Sequence, residues 1–190
     1  MEAFLVSTGI VALAEIGDKT QLLAFLLAAR FKKPLPIIAG ILVATLLNHG
    51  LAGAFGAWIV HLLEPETLRI VLGISFIVMA IWTLIPDKIE DDEAMLGQQL
   101  GIFGATLVTF FLAEMGDKTQ LATIAMAAKY GAPLVVIAGT TLGMLIADVP
   151  AVFIGDRFGG RIPVRLVHFV AAAIFATIGV LTLLRIDQLF

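Results

Sequence analysis

Cysteine is absent from the 190 residues, so no disulfide and no thiolate metal site can form, and no redox compartment can be read from thiols. Charge is scarce as well. Asp, Glu, Lys and Arg make up 14% of the chain, against roughly a quarter in an ordinary soluble domain. The formal net charge is only −3 and no basic run stands out, which excludes nucleic acid as an expected partner. The basic leader region of a cleaved signal peptide is also missing. The chain opens Met1-Glu2, and charged residues interrupt its first apolar run, so that run is expected to be mature structure.

What fills the sequence instead is apolar. Hydrophobic residues reach 60% and the mean hydropathy is +1.04, which suits a polytopic membrane protein whose partner is the lipid bilayer. The expected fold class is all-α. Six apolar segments can be drawn, at about 4–29, 35–63, 68–85, 100–128, 134–154 and 164–184. Most reach the roughly 20 residues that a helix needs to cross a bilayer core of about 30 Å. Pro34, Pro65, Pro86, Pro133 and Pro163 mark their boundaries.

One ten-residue stretch occurs twice. Leu13-Ala14-Glu15-Ile16-Gly17-Asp18-Lys19-Thr20-Gln21-Leu22 returns 99 residues later as Leu112-Ala113-Glu114-Met115-Gly116-Asp117-Lys118-Thr119-Gln120-Leu121, with only Ile16 changed, to Met115. At the same offset Pro34-Leu35 matches Pro133-Leu134 and Ile38-Ala39-Gly40 matches Ile137-Ala138-Gly139. The chain therefore divides into a three-helix repeat at 1–86, an acidic linker at 87–99 and a second three-helix repeat at 100–190. Three spans are odd in number, so the second repeat enters the membrane from the opposite side. Six transmembrane helices in two inverted repeats is a common plan for secondary transporters. Lys and Arg number seven in the first loop, the linker and the fifth loop, against three on the other side. That places both termini outside.

Charged residues at bilayer depth cost roughly 2.5–3.5 kcal/mol each on insertion scales. A sequence that carries Glu, Asp and Lys there twice is expected to use them. Glu15 and Asp18 stand three apart, which on a continuous helix puts both carboxylates on one side, with Lys19 able to pair with Glu15. Glu114, Asp117 and Lys118 repeat the pattern. Crossing of the first and fourth segments would bring the four carboxylates together, a donor set for a hard divalent cation. Gly17 and Gly116 would let each helix open locally. Thr20, Gln21, Thr119, Gln120 and Asp148 are expected in support, and His49 stands at the repeat position of Asp148. Asn48 fits an interhelical hydrogen bond, His61, His168, Trp58 and Trp82 fit the membrane interface, and Gly50, Gly53 and Gly56 fit close helix packing. If both lysines share the cavity, a net −2 remains, to be neutralised by one divalent cation or two protons.

Two copies of Glu-x-Gly-Asp-Lys-Thr, one per half, resemble the Gdt-type family of cation/proton antiporters, which includes bacterial manganese exporters and Golgi exchangers. The resemblance covers the whole chain. It implies that Glu15, Asp18, Glu114 and Asp117 carry the ion, with Lys19, Thr20, Lys118 and Thr119 completing the motifs. It implies no enzyme and no cofactor: Mn²⁺ or Ca²⁺ and H⁺ are the substrates. The absence of an organelle-type extension favours a bacterial plasma-membrane, multi-pass protein. Manganese leads, and Ca²⁺/H⁺ exchange is the alternative. A passive channel and an intramembrane aspartyl enzyme stand as remote readings. No oligomeric state follows from any of this.

Overall fold

Three helices begin at a proline, whose fixed φ and missing N–H suit a helix's first turn: α3 (Pro34–Ile59), α4 (Pro65–Thr83) and α7 (Pro133–Arg157). A computed structural model describes residues 1–84, 101–157 and 164–184, and among these every regular element is a helix. The others are α1 (Glu2–Glu15), α2 (Lys19–Phe31), α5 (Gly101–Glu114), α6 (Lys118–Tyr130) and α8 (Val164–Leu183). The acidic stretch 87–99, with Lys88, Arg161 and Arg185, lies outside the described residues, as do the side chains of Trp82 and His168.

The described chain thus holds eight helices where six segments were expected. The first and fourth segments are each cut in two at the repeated motif, giving α1–α2 and α5–α6. The cut has a local cause. Ile16 adopts φ −63°, ψ 115° and Gly17 φ 84°, and the Asp18 amide donates to the Glu15 carbonyl at 3.0 Å. That is a type II turn, whose third position requires positive φ and therefore glycine. Gly116 repeats it at φ 79°, with the Asp117 amide donating to the Glu114 carbonyl at 3.1 Å.

Packing interleaves the two halves. Helices α1 and α2 lie mainly against α7, while α5 and α6 lie mainly against α3; α3 meets α7, and α4 meets α8. Close approach is bought with glycine at matched positions. A Cβ on Gly40 would stand 2.7 Å from Thr106 Cβ, and one on Gly139 would stand 2.7 Å from the Phe4 carbonyl oxygen and against Ser7. Gly53 and Gly56 likewise abut α7 and α6, whereas Gly50 has nothing near it and plays no such part.

Burial is reversed relative to a soluble protein. Glu15, Asp18, Thr45, Asn48, His49, Thr119 and Asp148 have no exposed surface, while Leu47, Leu51, Val78, Ile81 and Ile146 are about half exposed or more. A polar interior inside an apolar coat is what a helix bundle in lipid needs. Helices α3 and α7 (over Pro133–Ile154) are long and apolar enough to cross a membrane; α5 is apolar but shorter.

Candidate metal centre

Each motif is a helix end, a turn and a helix start. Glu15 is the last residue of α1, and Asp18 is the N-cap of α2, its Oδ1 accepting from the Lys19 amide at 2.6 Å. Gln21, three residues after the cap, reaches back so that its Oε1 accepts from the Gly17 amide at 2.6 Å. Gln120 accepts from Gly116 in the same way at 2.8 Å. This is a variant of the capping box, with the reach-back falling one residue earlier. Glu15 and Asp18 therefore do not share one helix face. They lie on either side of a break, where the ends of α1 and α5 leave carbonyls without intrahelical partners.

The breaks bring carboxylates from both halves together. Glu15, Glu114 and Asp117 are all buried, and one oxygen from each lies within 4.8 Å of the others. Thr20 donates its hydroxyl to Glu15 Oε1, and Thr119 donates to Glu114 Oε2 at 2.7 Å. Each hydroxyl fixes one carboxylate oxygen, while Glu15 Oε2, Glu114 Oε1 and Asp117 Oδ2 stand buried with no hydrogen-bond partner among the described residues. Three buried carboxylates clustered from two helix pairs, each keeping one oxygen unpartnered among the described residues, are a costly arrangement for a bare protein. It is a fitting one for a hard cation that takes oxygen ligands.

Asp18 is not in that trio. Its Oδ2 forms an ion pair with Lys118 Nζ, and both side chains are buried. Lys19 was expected to pair with Glu15, yet its half-buried side chain enters no ion pair among the described residues. The turn is the reason, since Lys19 opens a new helix and no longer sits one turn along from Glu15. Asp148 is fully buried on α7, within electrostatic reach of Glu15 and Glu114, and neither of its oxygens has a hydrogen-bond partner among the described residues. Among the described residues neither ring nitrogen of His49, at the matching place on α3, has one either. Asn48 makes the interhelical bond, donating to the Phe111 carbonyl at 3.0 Å, and Gln21 Nε2 ties α2 to the Ala147 carbonyl at 3.0 Å. Five buried carboxylates, Asp148 among them, thus stand with one buried ammonium, that of Lys118, while Lys19 is only partly buried, so the buried charges differ from the four carboxylates and two lysines of the expected net −2.

Pro150 is a further residue of the site's surroundings, beyond those expected from the repeated motif. It lies inside α7, two residues after Asp148, and withholds the N–H that the Ile146 carbonyl would accept. A proline inside a long apolar run was the available signal.

Comparison with known proteins adds a family. The model of the divalent cation/proton antiporter family GDT1 matches residues 3–91 and 102–188. A Vibrio cholerae protein that bears the provisional name of manganese exporter is 48% identical over 183 residues, covering 96% of this chain and 90% of its own. A GDT1-like protein of Synechocystis is 27% identical, covering 92% of this chain and 93% of its own. The rice chloroplast GDT1-like protein 1 is 28% identical over 93% of this chain, which spans 60% of that longer relative. No solved structure matches.

Proposed function

The chain belongs to the GDT1 family of divalent cation/proton antiporters, a transporter and not an enzyme, and on that premise we propose that it exports Mn²⁺ in exchange for protons. The observation that carries the reading is the buried trio Glu15, Glu114 and Asp117, built from both motif copies and leaving three oxygens without partners. These three and Asp18 receive the ion. Thr20 and Thr119 orient the glutamates, Gln21 and Gln120 hold the turns, and Asp148 adds negative charge from α7. Manganese as cargo is supported by the name of the Vibrio cholerae relative. Calcium is the second reading, favoured by a carboxylate cluster that supplies only oxygen.

The architecture proposed for this function is six spans in two inverted repeats. Helices α1–α2 and α5–α6 each count as one broken span, and α3, α4, α7 and α8 complete the set. Support comes from the matched order and lengths of the halves: 14, 13, 26 and 19 residues against 14, 13, 25 and 20. The Lys/Arg distribution supports both termini outside a bacterial inner membrane. Broken helices near the membrane midplane, with the site between repeats, permit access from alternate sides.

Reconstituted vesicles with an imposed pH gradient test the function. Mn²⁺ moves against the proton flux, faster than Ca²⁺ and with Mg²⁺ slowest, and each burst of metal entry releases protons. Metal flux indifferent to the pH gradient would reject antiport, and Ca²⁺ outrunning Mn²⁺ would reverse the order of the two readings.

A further inference from the structure

The motif copies match at nine of ten positions, yet the side chains they supply are not arranged symmetrically. Lys118 crosses to the other repeat and pairs with Asp18, its side chain 1% exposed and that of Asp18 0%. The pair related to it by the repeat is Lys19 with Asp117, and that pair is not made. Among the described residues Lys19 remains half buried without an ion pair, and Asp117 keeps one buried oxygen unpartnered. The turns differ in the same sense: Met115 is 55% exposed and Gly116 is exposed, whereas Ile16 and Gly17 are only partly so.

Breaking a buried ion pair by removing one partner is strongly destabilising, because it strands the other charge. A second pair of the same residue types, Lys19 with Asp117, is available by the repeat to replace the first. We propose that the two motif lysines alternate: Lys118 holds Asp18 in the conformation seen here, and Lys19 holds Asp117 in the opposite-facing one, each pair latching one end of the transport cycle. The charge of Lys118 also acts on Asp117 and Glu15, so its ammonium occupies electrostatically the place the cargo's charge will take. A divalent cation entering the carboxylates repels that ammonium, releases Asp18 as a ligand and frees the latch. Both lysines are positioning residues: they act through the aspartates and do not themselves bind the metal.

The proposal rests on alternating access between inverted repeats, and its test separates the two ideas. Ile16→Cys and Met115→Cys, in a chain without native cysteine, mark the only motif position at which the copies differ. In sealed vesicles, a membrane-impermeant thiol reagent reads each from either side. Without metal, Met115→Cys reacts faster than Ile16→Cys, and from the opposite side. In the Lys118→Gln background the ratio of the two rates shifts toward Ile16→Cys by roughly tenfold or more, the population change that follows when one state loses its latch. Lys118→Arg, which keeps the charge, restores the parent ratio. Lys19→Gln, on a side chain with no ion pair to lose, folds regardless and shifts the ratio the other way. A ratio unmoved by either lysine, or moved the same way by both, overturns the exchange while leaving alternating access standing. Labelling of both cysteines from one side, insensitive to Mn²⁺, overturns both.

Discussion

Thr119 shows how much of the site's order rests on hydroxyls. Its bond to Glu114 Oε2, 2.7 Å long, leaves Oε1 as the oxygen free for an ion. Thr119→Val removes the tether without changing the shape much, and metal affinity falls by roughly ten- to a hundredfold, the range for losing a group that orients a ligand. Thr119→Ser keeps the hydroxyl and recovers most of it. Binding isotherms with Mn²⁺ on purified protein check both. The carboxylates themselves allow no such economy. Glu15→Gln, Glu114→Gln and Asp117→Asn each lower transport by roughly a hundredfold or more, since each takes an anionic oxygen from a dry site, while the variants still reach the membrane. An Asp117→Asn protein transporting at the parent rate would take that residue out of the site. On the proposed function, protons compete with the metal for these same oxygens. The concentration of Mn²⁺ for half-maximal flux therefore rises as pH falls, by between tenfold and a hundredfold per unit on the order of one or two protons displaced per ion.

The motif's carboxylates and their doubling were legible from residues alone, because charge in an apolar run is rare and a 99-residue offset is unambiguous. The helix break was only half legible. Gly17 and Gly116 could be seen as weak points, but Asp18-x-x-Gln21 is also a helix start. Taking the whole segment as one span led to Lys19 being paired with Glu15. The pair actually formed, Lys118 with Asp18, links residues 100 apart in number, a separation at which helical spacing carries no information. Interleaving of α1 and α2 with α7 was likewise beyond periodicity, which reports that a face is buried and not against what. Two glycines test the element-scale reading. Gly116→Ala has open space around its new methyl, so its cost is the left-handed backbone alone, about 1–2 kcal/mol, and the turn weakens. Gly139→Ala has ordinary helical geometry but drives a methyl toward the Phe4 carbonyl oxygen, so α1 and α7 must separate. Thermal melts in detergent should fall for both, while Gly50→Ala, with nothing near it, holds or rises slightly.

Across the whole molecule, five buried carboxylates against one ammonium leave four negative charges if all are ionised. One divalent cation cancels two of them, and the rest are expected to stay protonated throughout the cycle. The exchanged pair of protons then balances the metal, and flux at fixed pH ignores a potassium–valinomycin voltage clamp; each uncompensated charge would instead feel about 2.3 kcal/mol per 100 mV. Interleaved packing makes a second demand. A chain cut in the linker 87–99 keeps the packing of α1–α4 against α5–α8, so its two pieces expressed together assemble an active exchanger, while either alone is degraded. The same interleaving sets a clock on biosynthesis. Helix α1 ends at Glu15 and its main partner α7 begins at Pro133, so the 117 residues 16–132 must be made in between. At roughly 5–20 residues per second the ribosome needs about 6–24 seconds for them, and through that interval the nascent first motif must wait with its acids uncovered by the helix that will enclose them.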